Sequence, residues 1–338
     1  MATIKDVARE ANVSTGTVSR YLNKQTLKET NKRNIEKAIQ KLDYKENMIA
    51  KGLKKNKSMT IGVVISNLTD IFSTSIVSSI EHFVEACNYS IVICTFGISA
   101  AAISDKIKFL VDRSVDGIVL FRGNRDISDL PEILGASVPL VLADDYLDGF
   151  DTVSIDNSNA SYRAVDLLIR NGHKDIAIIC GTKNSFNSCE RYRGFQEAMK
   201  DNDLRPNDAY IKWGDFGTRS GFDCMTELLD GETMPSAIYI TNYYMTLGAL
   251  IAINQKNIIV PDDISIVGFD YFESMDVIKP PLTIVEQPVN ELGKNIAKII
   301  LSRINGDQTD HPEHIMIKTD LIIKKSIKNM KKDRRDHE

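Results

Sequence analysis

Apolar positions near the start of the chain recur every three or four residues. Ile4, Val7, Ala8 and Ala11 fall at the i, i+3, i+4, i+7 spacing of one helical face. Thr3, just before them, is placed to cap that helix. Asn12-Val13-Ser14 then interrupts the pattern. Ser14 is a natural N-cap for a second short helix, Thr15 to about Leu22, with Val18, Tyr21 and Leu22 on its buried face. A third helix is predicted near Asn31–Leu42, turning Ile35, Ala38, Ile39 and Leu42 inward. Two helices joined by a three-residue turn, with Val13 closing the corner, form a helix-turn-helix. Its second helix is expected to expose Thr15, Gly16, Thr17, Ser19 and Arg20. Small polar residues and one arginine suit a rod that lies deep in a major groove, where bulk would hold the backbone away from the bases.

From Met59 the period changes. Short β-rich runs at Thr60–Ile65, Ser90–Cys94, Gly117–Phe121, Pro139–Ala143, Ile176–Cys180, Ala237–Ile240 and Ser265–Gly268 alternate with helical stretches. Those stretches are Phe72–Cys87, Ser104–Arg113, Tyr162–Asn171, Arg191–Asp201 and Gly221–Asp230. The alternation predicts parallel sheets covered by helices on both faces, a fold that takes ligands at the carboxyl ends of its strands.

Charge divides the chain at the same place. Residues 1–58 carry a net +8 and the other 280 a net −12. A basic head on an acidic body fits a polyanionic partner, although a merely solvated lysine-rich surface accounts for the charge alone equally well. At 338 residues and 43% apolar composition the chain can bury the cores of two or three domains. It has no apolar run of the roughly 18 residues needed to span a bilayer. Met1-Ala2-Thr3-Ile4-Lys5-Asp6 lacks a signal-like apolar stretch, so no membrane and a cytoplasmic location are expected. The five cysteines, without C-x-x-C spacing, are expected to be buried free thiols.

Catalytic motifs are missing: there is no phosphate loop, no G-x-G-x-x-G opening a helix and no G-x-S-x-G elbow. His311 and His314 stand at H-x-x-H spacing in a Pro-containing loop and read as surface residues. Asp144-Asp145 and Asp262-Asp263 are adjacent pairs that point apart in loops and make no acid–base couple. Neither an enzyme, a cofactor nor a metal is expected.

The run from Thr3 to Asn23, with Asp6-Val7-Ala8, Val13-Ser14 and Thr17-Val18-Ser19-Arg20-Tyr21-Leu22-Asn23, resembles the head of the lactose/galactose-repressor family. The resemblance continues through Val115-Asp116-Gly117-Ile118-Val119, Gly172-His173-Lys174-Asp175-Ile176-Ala177, Tyr192-Arg193-Gly194-Phe195 and Val260–Asp270 to about residue 323. It implies a helix-turn-helix head over 1–46, a hinge over 47–58 and an α/β body of the periplasmic-binding-protein-like (type I) kind over 59–323. The body would have two lobes, about 59–156 with 287–313 and about 157–286 with 314–323. Residues 324–338, with seven basic and three acidic side chains, are expected to be disordered.

The resemblance also implies site residues. At the DNA it places Thr15, Gly16 and Arg20 on base edges, Thr3, Ser14, Ser19 and Asn23 on phosphates, and Tyr44 among the contacts. Asn47, Ala50 and Leu53 belong to a hinge helix that folds on DNA, Leu53 wedging between base pairs. Two departures, Glu46 before the hinge asparagine where the family usually has proline and Gly52 inside the helix, raise the cost of ordering it. In the body the resemblance places Phe72, Asp144, Arg191, Phe216, Asn242 and Asp270 around a small effector: a sugar, sugar acid or sugar phosphate. Tyr243 and Asp145 depart from the residues the family often carries there. The expected protein is a homodimeric repressor on a palindromic operator, its tail lacking the leucine heptads of a four-chain bundle. A cytosolic sugar-binding protein, or an α/β enzyme with an incidental helix-turn-helix, is the competing expectation.

Overall fold

The computed structural model describes residues 2–22, 25–44, 57–97, 101–123, 130–135 and 138–333. Asn23, Asn47, Ala50, Leu53 and most of the 47–58 hinge lie outside them. The chain divides into two compact units, Met1–Met59 and Thr60–Glu338.

The first unit holds helices α1 (Ile4–Glu10), α2 (Thr15–Leu22) and α3 (Glu29–Lys41). Thr3 and Asp6 form a reciprocal capping box, the Asp6 amide donating to Thr3 Oγ1 at 3.3 Å and the Thr3 amide to Asp6 Oδ2 at 2.9 Å. After Ala11 the chain turns through Asn12, whose φ of 51° is left-handed, and the Val13 amide donates back to the Ala8 carbonyl at 3.0 Å. Ser14 Oγ accepts from the Thr17 amide at 3.1 Å and so caps α2. The three helices close over Val7, Ala8, Ala11, Val18, Ile35 and Ala38, with Tyr21, Leu22, Ile39 and Leu42 packed at the edge.

Among its described residues the second unit has twelve strands: β1 (Thr60–Ile65), β2 (Ser90–Thr95), β3 (Gly117–Leu120), β4 (Leu140–Ala143), β5 (Asp151–Ile155), β6 (Ile176–Cys180), β7 (Ile211–Trp213), β8 (Ala237–Ile240), β9 (Ser265–Phe269), β10 (Thr283–Glu286), β11 (His314–Ile317) and β12 (Asp320–Ile322). They form two six-stranded sheets in the orders β11-β5-β4-β3-β1-β2 and β12-β10-β9-β8-β6-β7. Every neighbouring pair is parallel except β10 with β12. Inner strands such as β3, β4, β6 and β8 are buried along their whole length, which explains their unbroken Val, Ile and Leu runs. In each sheet the order reverses beside the first strand, β1 or β6, and opens a crevice at the carboxyl ends.

The chain passes between lobes at Asp156, at Gln287–Pro288 and at Lys318–Thr319. The third crossing is later than the boundary expected at 314, because β11 still pairs with β5, His314 opposite Thr152. The tail is also corrected. Residues 324–333 lie on the second lobe, where Ser326 is fully buried and accepts from the Thr283 amide at 2.8 Å. The Lys328 amide donates to Ser265 Oγ at 2.9 Å and the Met330 amide to the Asn171 carbonyl at 2.9 Å. A lysine-rich composition concealed one buried hydroxyl that anchors the segment. The thiols need correcting too: Cys94, Cys180 and Cys224 are buried, but Cys87 and Cys189 are exposed.

Among the described residues no helix is long and apolar enough to cross a membrane. Nor does any group of three or more His, Cys, Asp or Glu stand ready for a metal ion.

Candidate effector cleft and nucleic-acid interface

On the head, Thr15, Gly16 and Arg20 are exposed along one side of α2, and Ser19 beside them is half-buried. Thr17 is not part of that surface. It is buried, its hydroxyl 2.9 Å from that of Ser14, because position 17 falls beside Val18 on the face turned to α1 and α3. Thr3 and Ser14 are exposed residues whose hydroxyls already serve the helix starts, Thr3 donating to Asp6 Oδ2 at 2.7 Å. Tyr44 is half-buried against the head core.

In the body, the carboxyl ends of the strands converge on one cleft of about 740 Å³. All six residues expected around an effector line it: Phe72, Asp144, Arg191, Phe216, Asn242 and Asp270. Asp144 follows β4 and Asp270 follows β9, and the two are built alike. Both are left-handed (φ 55° and 71°), and each amide donates to the next strand, to Val153 at 2.8 Å and to Val285 at 2.9 Å. This conformation turns a side chain at a strand end out of the sheet; aspartate adopts it more readily than most residues, at an order of 1 kcal/mol or more.

Arg191 is buried on the Phe186–Asp201 helix. Its Nε donates to Asn157 Oδ1 at 2.7 Å and its Nη1 to the Thr241 carbonyl at 2.6 Å, while the guanidinium lies 3.8 Å over the Phe269 ring centre. Gly194 makes this possible. A Cβ there would stand 2.0 Å from the Ser158 carbonyl, so only glycine brings the helix against Asn157–Arg170. Gly181 plays the same part for Phe216, whose ring would meet a Cβ at 2.2 Å.

Burial pushes the Asp144 carboxyl up to about 7, helped by Asp145 and Asp270 and opposed by Arg191 and the Asn187 amide. Burial likewise raises Asp270, against Arg191, Gln287 and the Tyr243 amide. Asp145 points away and is held by Arg122 through two bonds of 2.8 Å. The acidic residue there belongs to a separate buried ion pair. Asn242 spends its side-chain oxygen on the Met245 amide at 3.0 Å, capping a helix.

Four polar residues went unnoticed in the sequence. Asn157 orients Arg191 and donates to Asn187 Oδ1 at 3.0 Å, and Asn187 Nδ2 donates across the lobes to Asp144 Oδ2 at 2.6 Å. Tyr244 bridges the opposite rim, and Gln287 follows β10 and donates to Asp270. The short β-rich run Thr283-Ile284-Val285 just before Gln287 is the one sequence signal that could have found it. Nothing in the local pattern marks Asn157, Asn187 or Tyr244.

A basic helix-turn-helix joined to a two-lobed α/β body with a cleft at its strand ends defines a DNA-binding transcription regulator on a ligand-binding fold. Residues 3–47 match the sequence profile of bacterial regulatory proteins, lacI family, and residues 165–327 that of the periplasmic binding protein-like domain. The chain belongs to the lacI family and is a DNA-binding transcription repressor, not an enzyme. The HTH-type transcriptional repressor PurR of Actinobacillus pleuropneumoniae serotype 3 (strain JL03) is 35% identical over 340 residues, spanning 98% of this chain and 100% of the relative. PurR of Pasteurella multocida (strain Pm70) is 34% identical over 334 residues, 97% and 99% of the two chains. Among solved structures, the Lac repressor dimer bound to operator and the anti-inducer ONPF aligns with a TM-score of 0.84 at 26% identity, covering 97% of this chain and 99% of that one. The CelR–cellobiose complex aligns at 0.74 with 28% identity, covering 96% and 100%.

Proposed function

We propose that this repressor acts in the cytoplasm as a homodimer on a palindromic operator and that a small carbohydrate-like effector in the cleft sets its operator affinity. The observation that carries the reading is the pair of bridges across the cleft, Asn187 to Asp144 on one side and Tyr244 to Thr69 and Ile71 on the other. A ligand touching these residues changes the balance between open and closed lobes, and lobe angle is what a dimer can transmit to its hinges. Asp144, Asp270 and Asn242 suit sugar hydroxyls, Arg191 supplies a rigid fork, and Phe72 and Phe216 offer flat apolar walls. The solved complex of CelR with cellobiose supports the ligand class, and the Lac repressor dimer on its operator supports the assembly.

At the DNA, Thr15 and Arg20 read base edges, while Gly16 stands at a base-edge position with no side chain to read it. Thr3, Ser14, Ser19, Asn23 and Tyr44 position the head, and Asn47, Ala50 and Leu53 serve the hinge.

Operator binding measured against salt tests this reading. Affinity of the full chain is expected to fall steeply as salt rises, and a body lacking residues 1–58 is expected to keep effector binding while losing the operator. A truncated body that still retards the operator in a gel, or an effector that leaves operator affinity unchanged, refutes it.

A further inference from the structure

We infer that the effector is rich in hydrogen-bond donors and carries no net negative charge, so that neutral or amino sugars are accepted while sugar acids and sugar phosphates are rejected. This rests on the cleft being the effector site, as proposed above.

Two buried acceptors in the cleft have no hydrogen-bond partner among the described residues: Asp144 Oδ1 and Gln287 Oε1. Gln287 is 6% exposed, and its orientation is decided by its neighbour. Asp270 accepts on both oxygens, from Gln287 Nε2 and from the Tyr243 amide at 3.1 Å. Turning the Gln287 amide over would set its oxygen against a carboxylate, so Oε1 must face away from Asp270. Asp144 is arranged in the same way, its Oδ2 taken by Asn187 and its Oδ1 left over. The cleft therefore holds two carboxylate–amide pairs, Asp144 with Asn187 across the lobes and Asp270 with Gln287, and each pair leaves a single acceptor to spare. Buried acceptors are costly when unpaired: Gln287 Oε1, and Asp144 Oδ1 once that carboxyl is ionised, are satisfied only by a ligand that brings O–H or N–H groups.

The charges agree. Asp70, Asp144, Asp215 and Asp270 line the cleft, and Arg191 is the sole cation among its described lining residues. Two of the three guanidinium nitrogens of Arg191, Nε and Nη1, are already engaged with Asn157 and Thr241, and its face lies over the Phe269 ring. With the cleft carboxylates ionised, a phosphate or carboxylate would sit among like charges, and it would lack donors for the spare acceptors. Phe72, Phe96, Phe121 and Phe216 remain as apolar walls for the C–H faces of a sugar ring.

The test uses the full-length chain in calorimetry and thermal-shift assays. The probes are D-glucose, D-galactose, D-mannose, D-ribose and cellobiose, together with the 6-phosphate, the onic acid and the 2-amino form of each hexose. The tightest ligand is expected to be neutral or amino, and its phosphate or acid counterpart to bind at least about tenfold more weakly. A phosphate or acid that binds most tightly overturns the inference and leaves the effector cleft standing. No binding by any probe overturns the carbohydrate reading and this inference with it.

Gln287→Met is expected to weaken the tightest ligand about tenfold. Should that variant not fold, Asp144→Asn provides the same readout: Asn187 will hold the new amide oxygen and turn an NH2 toward the ligand's donors. Unchanged affinity in the variant measured removes the spare acceptors from recognition.

Discussion

The Tyr244 hydroxyl ties the two lobes together: it donates to the Thr69 carbonyl at 2.6 Å and accepts from the Ile71 amide at 3.1 Å. Ile71 begins the Ile71–Glu85 helix, so Tyr244 satisfies one of the amides that every helix start leaves without an intrahelical partner. The remainder of the ring packs edge-on against Tyr243, 5.0 Å between centres. Tyr244→Phe keeps that packing and removes only the bridge. The variant is expected to have a larger radius of gyration without ligand in small-angle scattering and to bind effector about three- to tenfold more weakly. Equal scattering and equal affinity would show that the bridge does not hold the cleft.

Arg191 answers for several neighbours at once. Arg191→Ala leaves Asn157 Oδ1 and the Thr241 carbonyl without their donor and takes the counter-charge from Asp144 and Asp270. Effector affinity is expected to drop more than tenfold in calorimetry, while ligand-free operator affinity, which depends on the head, stays the same. Undiminished effector affinity would place Arg191 outside the recognition of ligand.

The Asp144 carboxyl, with a folded-state value of about 7 against 3.8 ordinarily, gives a pH signature. Between those values the folded chain holds a proton that the unfolded chain has released. Asp144 therefore favours the folded state least above pH 7, and its unfavourable contribution fades as pH falls toward 4. The facing groups are Arg191, Asp145, Asp270 and the Asn187 amide, and Asp144→Asn leaves all of them in place. In thermal melts without ligand, the melting temperature of the variant relative to the parent is expected to rise by a few degrees from pH 5 to pH 8. A constant difference would mean that Asp144 ionises like an exposed carboxylate.

Removal of residues 324–338 tests the anchored tail. It deletes Ser326, which accepts from Thr283 and donates to the Ile266 carbonyl, and the bond from Lys328 to Ser265. It also uncovers His173, whose Nε2 lies 3.1 Å from the Lys328 carbonyl. With about 1 kcal/mol per buried hydrogen bond, the body is expected to melt several degrees lower. An unchanged melting temperature would show that the segment merely rests on the lobe.

Much of the fold is legible in the chain because burial writes itself into period. Val18 and Ile35 repeat with helical spacing around the head core, and the apolar runs of β1, β6 and β8 need helices on both sides. Strands with polar ends were harder. β5 begins at Asp151, which is buried against Arg303 some 152 positions later in the sequence, through bonds of 2.9 Å. No local window contains that partner. Thr17 misled for a related reason: a short polar side chain at the margin of the buried face is tucked inside once its hydroxyl meets Ser14.

By itself the sequence determined a basic three-helix head and an alternating strand–helix body, since periodicity and residue chemistry are local properties, while its resemblance to a known family implied the six residues expected around a ligand. The tertiary structure alone decided that Asn157, Asn187, Tyr244 and Gln287 complete the cleft, that Asp145 turns away to Arg122, and that Ser326 seats the tail. Those outcomes depend on polar groups meeting across long stretches of chain, and a hydrogen bond takes its meaning from its partner.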